Sequence, residues 1–451
     1  MIPIAGQMRG VSLMWTLQTC SNAIQFCATA MMTALTPPAT FCITGADRSF
    51  KMRKVLYIIC DGLGDLPTKG KTPLSSAQKP NIDSLAKQGQ CGLLHTIGRG
   101  IVPGSDTAHL ALFGYNPYKY YPGRGTFEAL GARMKLKAGD VAFRCNFATV
   151  DSERKVLDRR AGRLKNAKPL ESAINAIKLK GCTLKFASTV EHRGVLVLHG
   201  EGLSKEVSDT DPHEIGRRIM RCKPLDKSAE AQRTASLVNE FTRHAVSVLR
   251  RHKFNANRSK PANALLLRGA GCYSKVDGIE KRYGIKATCI AGGALYKGVA
   301  RFVGMHVPYV RGATGRADTD LEAKARAALS ALKEREVVVI HIKATDSFSH
   351  DGDFEGKQGM IERIDKMIGL LKQEAKDAYF ILTGDHSTPV ALKAHSHEPV
   401  PVLISGPQMR SDSVKTFDEF SCASGSLGHL TGLELFRTMV GLTRKAEKFG
   451  S

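Results

Sequence analysis

The chain has 451 residues, 42% of them hydrophobic and 24% charged, which suits a globular protein of two or three domains with a sizeable core. Sixty-six Lys and Arg against 42 Asp and Glu leave a formal charge of +24, which favours acidic partners: nucleic acid, anionic membrane or phosphorylated metabolites. Aromatic residues make up only 6% and are not interleaved with the basic ones, which counts against a single-strand nucleic-acid platform, and eleven scattered cysteines without a CxxC pair fit a reducing compartment better than a disulfide framework.

Residues 1–51 read as an extension outside the core, either a targeting segment or the result of an upstream translation start. The stretch 11–35 is fairly apolar, but Gln18, Ser21, Asn22 and Gln25 interrupt it, so it is too polar for a membrane span. Globular sequence starts at Met52. VLYIIC (55–60) is a short apolar, β-branched run and predicts a buried parallel strand, closed by the turn Asp61-Gly62. KPNIDSLAKQG (79–89) predicts a helix stopped by Gly89. VPGSDTAHLALFGY predicts a loop feeding a short helix from about Ser105. EREVVVIHIK (334–343), AYFILTGDH (378–386) and PVPVLISG (399–406) predict further buried strands, with an amphipathic helix over 354–374 and a closing helix over 428–442.

Strands alternating with helices give an α/β class with a mainly parallel sheet. The middle, 132–290, is different. Its stretch 151–260 holds 24 Lys and Arg against 13 Asp and Glu, either a solvated basic face or a surface for anions. VAFRCNFATV, GVLVLHG and NALLLRG supply its own strands. The expected organisation is therefore one α/β domain, 52–131 and 291–451, interrupted by an inserted second α/β domain, 132–290, with joins near 123–134 and 290–302.

In parallel sheets ligands bind beyond the carboxyl ends of the strands. Asp61 follows the first strand, Asp346 the second and Asp385-His386 the third. His350 lies four residues after Asp346, in a segment read as a loop, and His395 precedes the fourth strand. Taken singly, each is weak, since an Asp-Gly after a strand is usually a turn. Together with Ser105 they offer three carboxylates, three imidazoles and a hydroxyl, enough for two mixed oxygen/nitrogen metal sites. Mn²⁺ or Zn²⁺ suits such donors, Mg²⁺ less so. Two cations about 3.5–4 Å apart can clamp a phosphoryl displacement from both sides. A serine hydroxyl needs such activation to act as a nucleophile near neutral pH.

The order DG, GSDTAHLALFGYNP, DxxxHDGDFEGK, TGDHSTPV and HSxEPVPVLI resembles the archaeal-type cofactor-independent phosphoglycerate mutases of the alkaline phosphatase superfamily, from Met52 to about residue 442. The middle blocks GRGTFEALG, NFATVD, HRGVLVLHGEGLSKEVSDTDPHE and NALLLRGAG carry the finer likeness. The resemblance implies an alkaline-phosphatase-like domain and interconversion of 3- and 2-phosphoglycerate through a phosphoserine at Ser105, in glycolysis and gluconeogenesis. It implies two divalent cations, Mn²⁺ first, with Mg²⁺, Zn²⁺ or Co²⁺ as alternatives, and no 2,3-bisphosphoglycerate. Asp61, Ser105, Asp385 and His386 would surround one cation and Asp346, His350 and His395 the other. Arg144, Asn146, Asp151, His192, Arg193 and Arg268 would bind substrate, and Lys297 would face the transferring phosphate. His397 is left without a role. The partners implied are phosphoglycerates, with neither nucleic acid nor membrane, and the oligomeric state stays open. A cytoplasmic location is expected, with organellar targeting by residues 1–51 as the other reading. The rival function is a metal-dependent phosphatase, phosphonatase or other phosphomutase built on the same site.

Overall fold

The run VLYIIC lies inside a sheet covered on both faces. Leu56, Ile58 and Cys60 enter one apolar cluster, while Val55, Tyr57 and Ile59 enter another on the opposite side. A strand buried on both faces has no polar alternation, which is why it reads as a continuous apolar run. The computed structural model describes residues 53–448 and Gly450; the extension expected over 1–51 lies outside the described residues.

In chain order the strands are β1 (Lys54–Cys60) and β2 (Gln90–His95); then β3 (Val141–Val150), β4 (Val156–Asp158), β5 (Thr183–Ser188), β6 (Arg193–His199) and β7 (Ala264–Cys272); then β8 (Ala287–Ile290), β9 (Val337–Ile342), β10 (Ala378–Thr383), β11 (Val400–Ser405) and β12 (Gly428–Thr431). The helices that position the site are α1 (Pro80–Gln88), α2 (Ser105–Leu112), α3 (Arg124–Gly131), α4 (Ala229–Arg251), α5 (Ala294–Phe302), α6 (Leu321–Leu332), α7 (Ala344–Asp351), α8 (Phe354–Glu374) and α9 (Gly432–Leu442).

Seven strands form the larger sheet in the order β12-β2-β11-β10-β1-β9-β8. Only β11 runs against the others, so the sheet is mainly parallel, as expected. The closing segment differs in detail. Residues 428–431 add an edge strand before the helix begins at Gly432. Among the described residues no helix is long and apolar enough to cross a membrane.

The smaller sheet is built from β3–β7, and all its pairings are antiparallel. It has its own apolar cluster, to which α4 contributes Ala235, Leu237, Val238, Phe241, Ala245 and Leu249. Helices α3 and α5 join the two sheets at backbone distance. A Cβ on Gly298 would stand 1.8 Å from the Phe127 carbonyl oxygen, and one on Gly131 would stand 2.0 Å from that of Ala294. Only glycine allows so close a crossing.

Candidate active site

Three strand ends deliver acids to one edge of the larger sheet. Asp61 follows β1, and its amide donates to Ile342 O at 2.9 Å, which locks the turn onto β9. Gly62 then turns with φ +64, and a Cβ there would meet the Asp346 Cβ and Thr388 Oγ1, both at 2.7 Å. A left-handed turn with no room for a side chain requires glycine at this point. Asp346 lies in the first turn of α7. The segment read as a loop is thus a helix, so Asp346 and His350, four residues apart, share one face. Gly352, at φ +79, ends the helix.

The three histidines are oriented alike. His350 Nδ1 donates to Lys393 O at 2.8 Å and His395 Nδ1 to Pro103 O at 2.9 Å. Thr388 Oγ1 donates to Asp346 Oδ1 at 2.8 Å, so it accepts from His386 Nδ1, 3.0 Å away. Each Nδ1 is therefore protonated, and each Nε2 turns towards the acids. Ligating histidines are commonly fixed in this way. His395 Nε2 lies 3.5 Å from Asp346 Oδ1, and His350 Nε2 lies 3.4 Å from Asp346 Oδ2. His386 Nε2 lies 3.7 Å from Asp61 Oδ1 and 3.2 Å from Asp385 Oδ2. The hydroxyl of Ser105, at the start of α2, donates to this same nitrogen at 3.1 Å.

Donor atoms of Asp346, His350 and His395 lie within 4.8 Å of one another, and so do those of Asp61, Asp346 and His386. Asp346 is common to both groups, whereas the sequence assigned it to one. Asp385 lies deeper: Gly62 N donates to its Oδ1 at 3.0 Å, while its buried Oδ2 has no hydrogen-bond partner. Burial, then the charge of Asp61, pushes the Asp385 carboxyl well above the usual range. Burial also opposes ionisation of Asp61, but Lys343 and the neighbouring imidazoles hold it well below that range. Burial and the charge of Asp61 oppose ionisation of Asp346, but the hydrogen bond with His395 and the charge of Lys343 bring it down to about 2. Burial pushes His386 down to about 3, which keeps it neutral. Buried carboxylates, an orphaned carboxylate oxygen and three imidazoles with Nε2 turned inward form a donor set that fits divalent cations.

A second constellation lies on the smaller sheet. Antiparallel register sets Asn146 opposite Arg193 and Arg144 opposite Arg268. With Arg159, Arg160 and His192 they line a pocket of about 250 Å³. Arg144 Nε, Arg268 Nε, Asn146 Oδ1 and His192 Nδ1 are buried there without partners. Burial and the guanidinium groups of Arg124, Arg268 and Arg193 lower Arg144 to about 9 despite Glu128. Arg159 pairs with Asp211 at 2.7 Å, whereas Arg268 and Arg144 have an acid only at 3.9 and 3.8 Å, so the cluster keeps planar donors that fit carboxylate and phosphate. A cleft of about 390 Å³ is lined by Arg144 and Arg193 of this pocket and also by Lys343 and Ser347, which border the acids.

The sequence profile of the 2,3-bisphosphoglycerate-independent phosphoglycerate mutase family matches residues 86–255. The chain is 46% identical over 410 residues to 2,3-bisphosphoglycerate-independent phosphoglycerate mutase 1 of Methanocaldococcus jannaschii, covering 89% of this chain and all of that one. It is 48% identical over 407 residues to its counterpart from Archaeoglobus fulgidus, covering 88% of this chain and all of the relative. The chain belongs to this mutase family.

Two solved structures extend the family likeness. A Pyrococcus horikoshii protein superposes with a TM-score of 0.77 at 36% identity, over 89% of this chain and all of that one. The cofactor-independent phosphoglycerate mutase from Thermoplasma acidophilum gives 0.66 at 34% identity, over 87% of this chain and all of the other.

Within this mutase fold, two residues singled out from the sequence stand apart. Asp151 does not enter the arginine pocket; its Oδ1 accepts from Lys155 N at 2.8 Å and closes the β3–β4 turn. Lys297 does not line the cleft. It lies on the α5 face carrying Arg301, four residues on, where burial, then Arg301 and Arg133, lower its pKa.

The lysine that reaches the acids is Lys343, which sequence reasoning passed over. Its Nζ is 3.1 Å from Asp61 Oδ1 and also donates to Asp346 Oδ2. It follows β9 as Asp61 follows β1, so the strand-end rule could have found it. His341 was also missed: its Nε2 donates to Asp61 Oδ2 at 3.1 Å, beneath the stacked ring of Tyr296. Arg124, Arg159 and Arg160 carry no local signal of their own. His397 lies at the surface, with Nδ1 3.8 Å from Glu398.

Proposed function

We propose that this protein interconverts 3-phosphoglycerate and 2-phosphoglycerate through a phosphoserine at Ser105. The observation that carries the reading is the Ser105 hydroxyl, 3.1 Å from His386 Nε2 among the buried acids, together with a cleft lined both by Lys343, which binds those acids, and by Arg144 and Arg193 of the arginine pocket.

Arg144, Arg193 and Arg268 hold the substrate carboxylate, which turns the phosphate towards Ser105. In the first half the Oγ–phosphorus bond forms as the bond from phosphorus to the 3-oxygen breaks. The proton leaving Ser105 Oγ is matched by the proton gained at the 3-oxygen. In the second half the 2-hydroxyl attacks the phosphoserine, and Ser105 regains its proton. No net proton, phosphate or water is consumed.

Asp61, Ser105, Asp346, His350, Asp385, His386 and His395 would hold two divalent cations, which supply positive charge that favours deprotonation of Ser105 and neutralises the phosphate. Mn²⁺ is the proposed ion, because imidazole and carboxylate together suit it better than Mg²⁺. Lys343 balances the acids and would face the transferring phosphate, the role expected of Lys297. Residues 132–290 act as the substrate-holding part, and 52–131 with 291–451 as the phosphoryl-transfer part. The glycerate must stay bound between the halves while water is kept from the phosphoserine. The proposed place of action is the cytoplasm, in glycolysis and gluconeogenesis.

The test is phosphorus NMR of the protein with 3-phosphoglycerate and no bisphosphoglycerate, with Mn²⁺ or a chelator, alongside Ser105→Ala. Metal-dependent 2-phosphoglycerate, lost in the variant, is expected. Free phosphate alone would instead make the protein a hydrolase.

A further inference from the structure

A cleft of about 640 Å³ opens beyond the arginine pocket, between the turn at 158–163 and the segment 257–260. Arg160, Arg163, Arg258 and Lys260 line it, with Asp158 as its one acid. That acid is already engaged: Oδ1 accepts from Arg160 N at 2.7 Å, and Oδ2 accepts from Gly162 N at 3.2 Å and from Lys260 Nζ at 3.1 Å. Among the described residues, Arg160, Arg163 and Arg258 have no carboxylate partner, and Arg258 Nε is buried without a hydrogen bond. Three uncompensated guanidinium groups around one opening repel each other and attract anions.

The backbone holds this arrangement in an unusual conformation. Ala161, Gly162 and Arg163 are all left-handed, with φ of 46°, 69° and 55°. Two of the three carry side chains, for which this region is unfavourable. The turn is closed by Leu164 N donating to Arg160 O at 3.1 Å, and Ala161 is sealed in the core. Strain of this kind persists where the surroundings enforce it and is common at ligand sites. Here the turn brings Arg160 and Arg163 to one opening. Arg160 also lines the inner arginine pocket, so the two spaces adjoin.

We propose that this cleft is an outer anion site for a phosphate-ester dianion, which captures the substrate and passes it to the arginine pocket by way of Arg160. The open, polar lining suits a hydrated anion in transit, and planar guanidinium groups suit phosphate and carboxylate alike. The proposal rests on the mutase reading for the identity of its ligand.

Arg163 and Lys260 are exposed and can be changed without opening the core. The test compares the unaltered protein, Arg163→Gln/Lys260→Gln and a control from a separate cleft, Arg221→Gln/Arg243→Gln. Steady-state rates with 3-phosphoglycerate are measured from about 0.01 M to about 1 M salt, where the screening length shrinks from about 30 Å to about 3 Å. In the first variant kcat/KM is expected to fall about tenfold at low salt, with kcat kept and the difference vanishing at high salt. Equal kcat/KM in the variant and the unaltered protein overturns the proposal. So does an equal fall in the control, or a fall in kcat. If the unaltered protein does not convert 3-phosphoglycerate, the mutase reading fails, and the site is then read by binding of inorganic pyrophosphate at low salt. Binding weakened only in the first variant sustains the anion site, and equal binding in all three removes it.

Discussion

Gly298→Ala tests the joint between the two sheets. The added Cβ would stand 1.8 Å from the Phe127 carbonyl oxygen. An ordinary carbon–oxygen contact is about 3.3 Å, so α3 and α5 must separate by about 1.5 Å. Relieving such an overlap costs about 3 kcal/mol, and the better helix propensity of alanine returns about 1 kcal/mol. A net loss of about 2 kcal/mol is therefore expected in urea unfolding. The functional effect is larger. Helices α3 and α5 share one apolar cluster through Phe127, Leu295, Val299, Ala300 and Phe302, so separating them shifts the smaller sheet, and the arginine pocket on it, against the larger. A displacement of about 1 Å between reacting groups costs about 10²-fold, so kcat should fall by at least that much. Mn²⁺ affinity should hold, because the proposed ligands lie on other elements. Unchanged stability and rate would refute the glycine-contact reasoning. A lost Mn²⁺ affinity would show that the joint also shapes the metal site.

Lys357 is fully buried, with Nζ 2.8 Å from Asp65 Oδ2 and 3.2 Å from the carbonyl oxygens of Gly64 and Thr388, tying the loop after β1 to the loop after β10. Lys357→Met leaves the Asp65 carboxylate buried without its cation, with only backbone amides as donors, and should cost about 3–5 kcal/mol in denaturant unfolding; a loss under 1 kcal/mol would contradict this. Chelation should lower the melting temperature, since a cation at 100 times its Kd stabilises the folded state by about 2.7 kcal/mol; equal melting with and without chelator would deny a cation role. Burial raises Glu419 to about 7 from 4.5, where its oxygens accept from Asp65 N and Thr72 Oγ1. Its contribution is complete below pH 4.5 and lost as pH rises through 7. Glu419→Gln should therefore gain relative stability from pH 5 to pH 8 in urea titrations, and a difference constant with pH would contradict the shift.

The proposed transfer site was legible in the sequence because its residues follow buried apolar runs. VLYIIC, VVVIHI and AYFILT each mark a strand, and the residues just beyond them face the site. What the sequence hides is pairing across long separations. The antiparallel course of β11, the edge strand at 428–431 and the register that sets Arg268 opposite Arg144 leave no local mark. Proximity to a domain join says nothing of helix phase: Tyr296 stacks on His341 and lines the cleft, while Lys297 is not part of its lining. Lys343 obeys the strand-end rule, but a search for acids passes over a base. Ser347 lines the cleft and Phe348 packs against the core beside α8.

The central claim is that phosphate rests on Ser105 between two positions of the same glycerate. The most direct measurement is acid quenching of the Mn²⁺-loaded protein during turnover of 3-phosphoglycerate, followed by peptide mass spectrometry. Phosphate on Ser105, appearing with substrate and declining when 2- and 3-phosphoglycerate are removed, is the predicted result. Steady production of 2-phosphoglycerate with Ser105 never phosphorylated would contradict it.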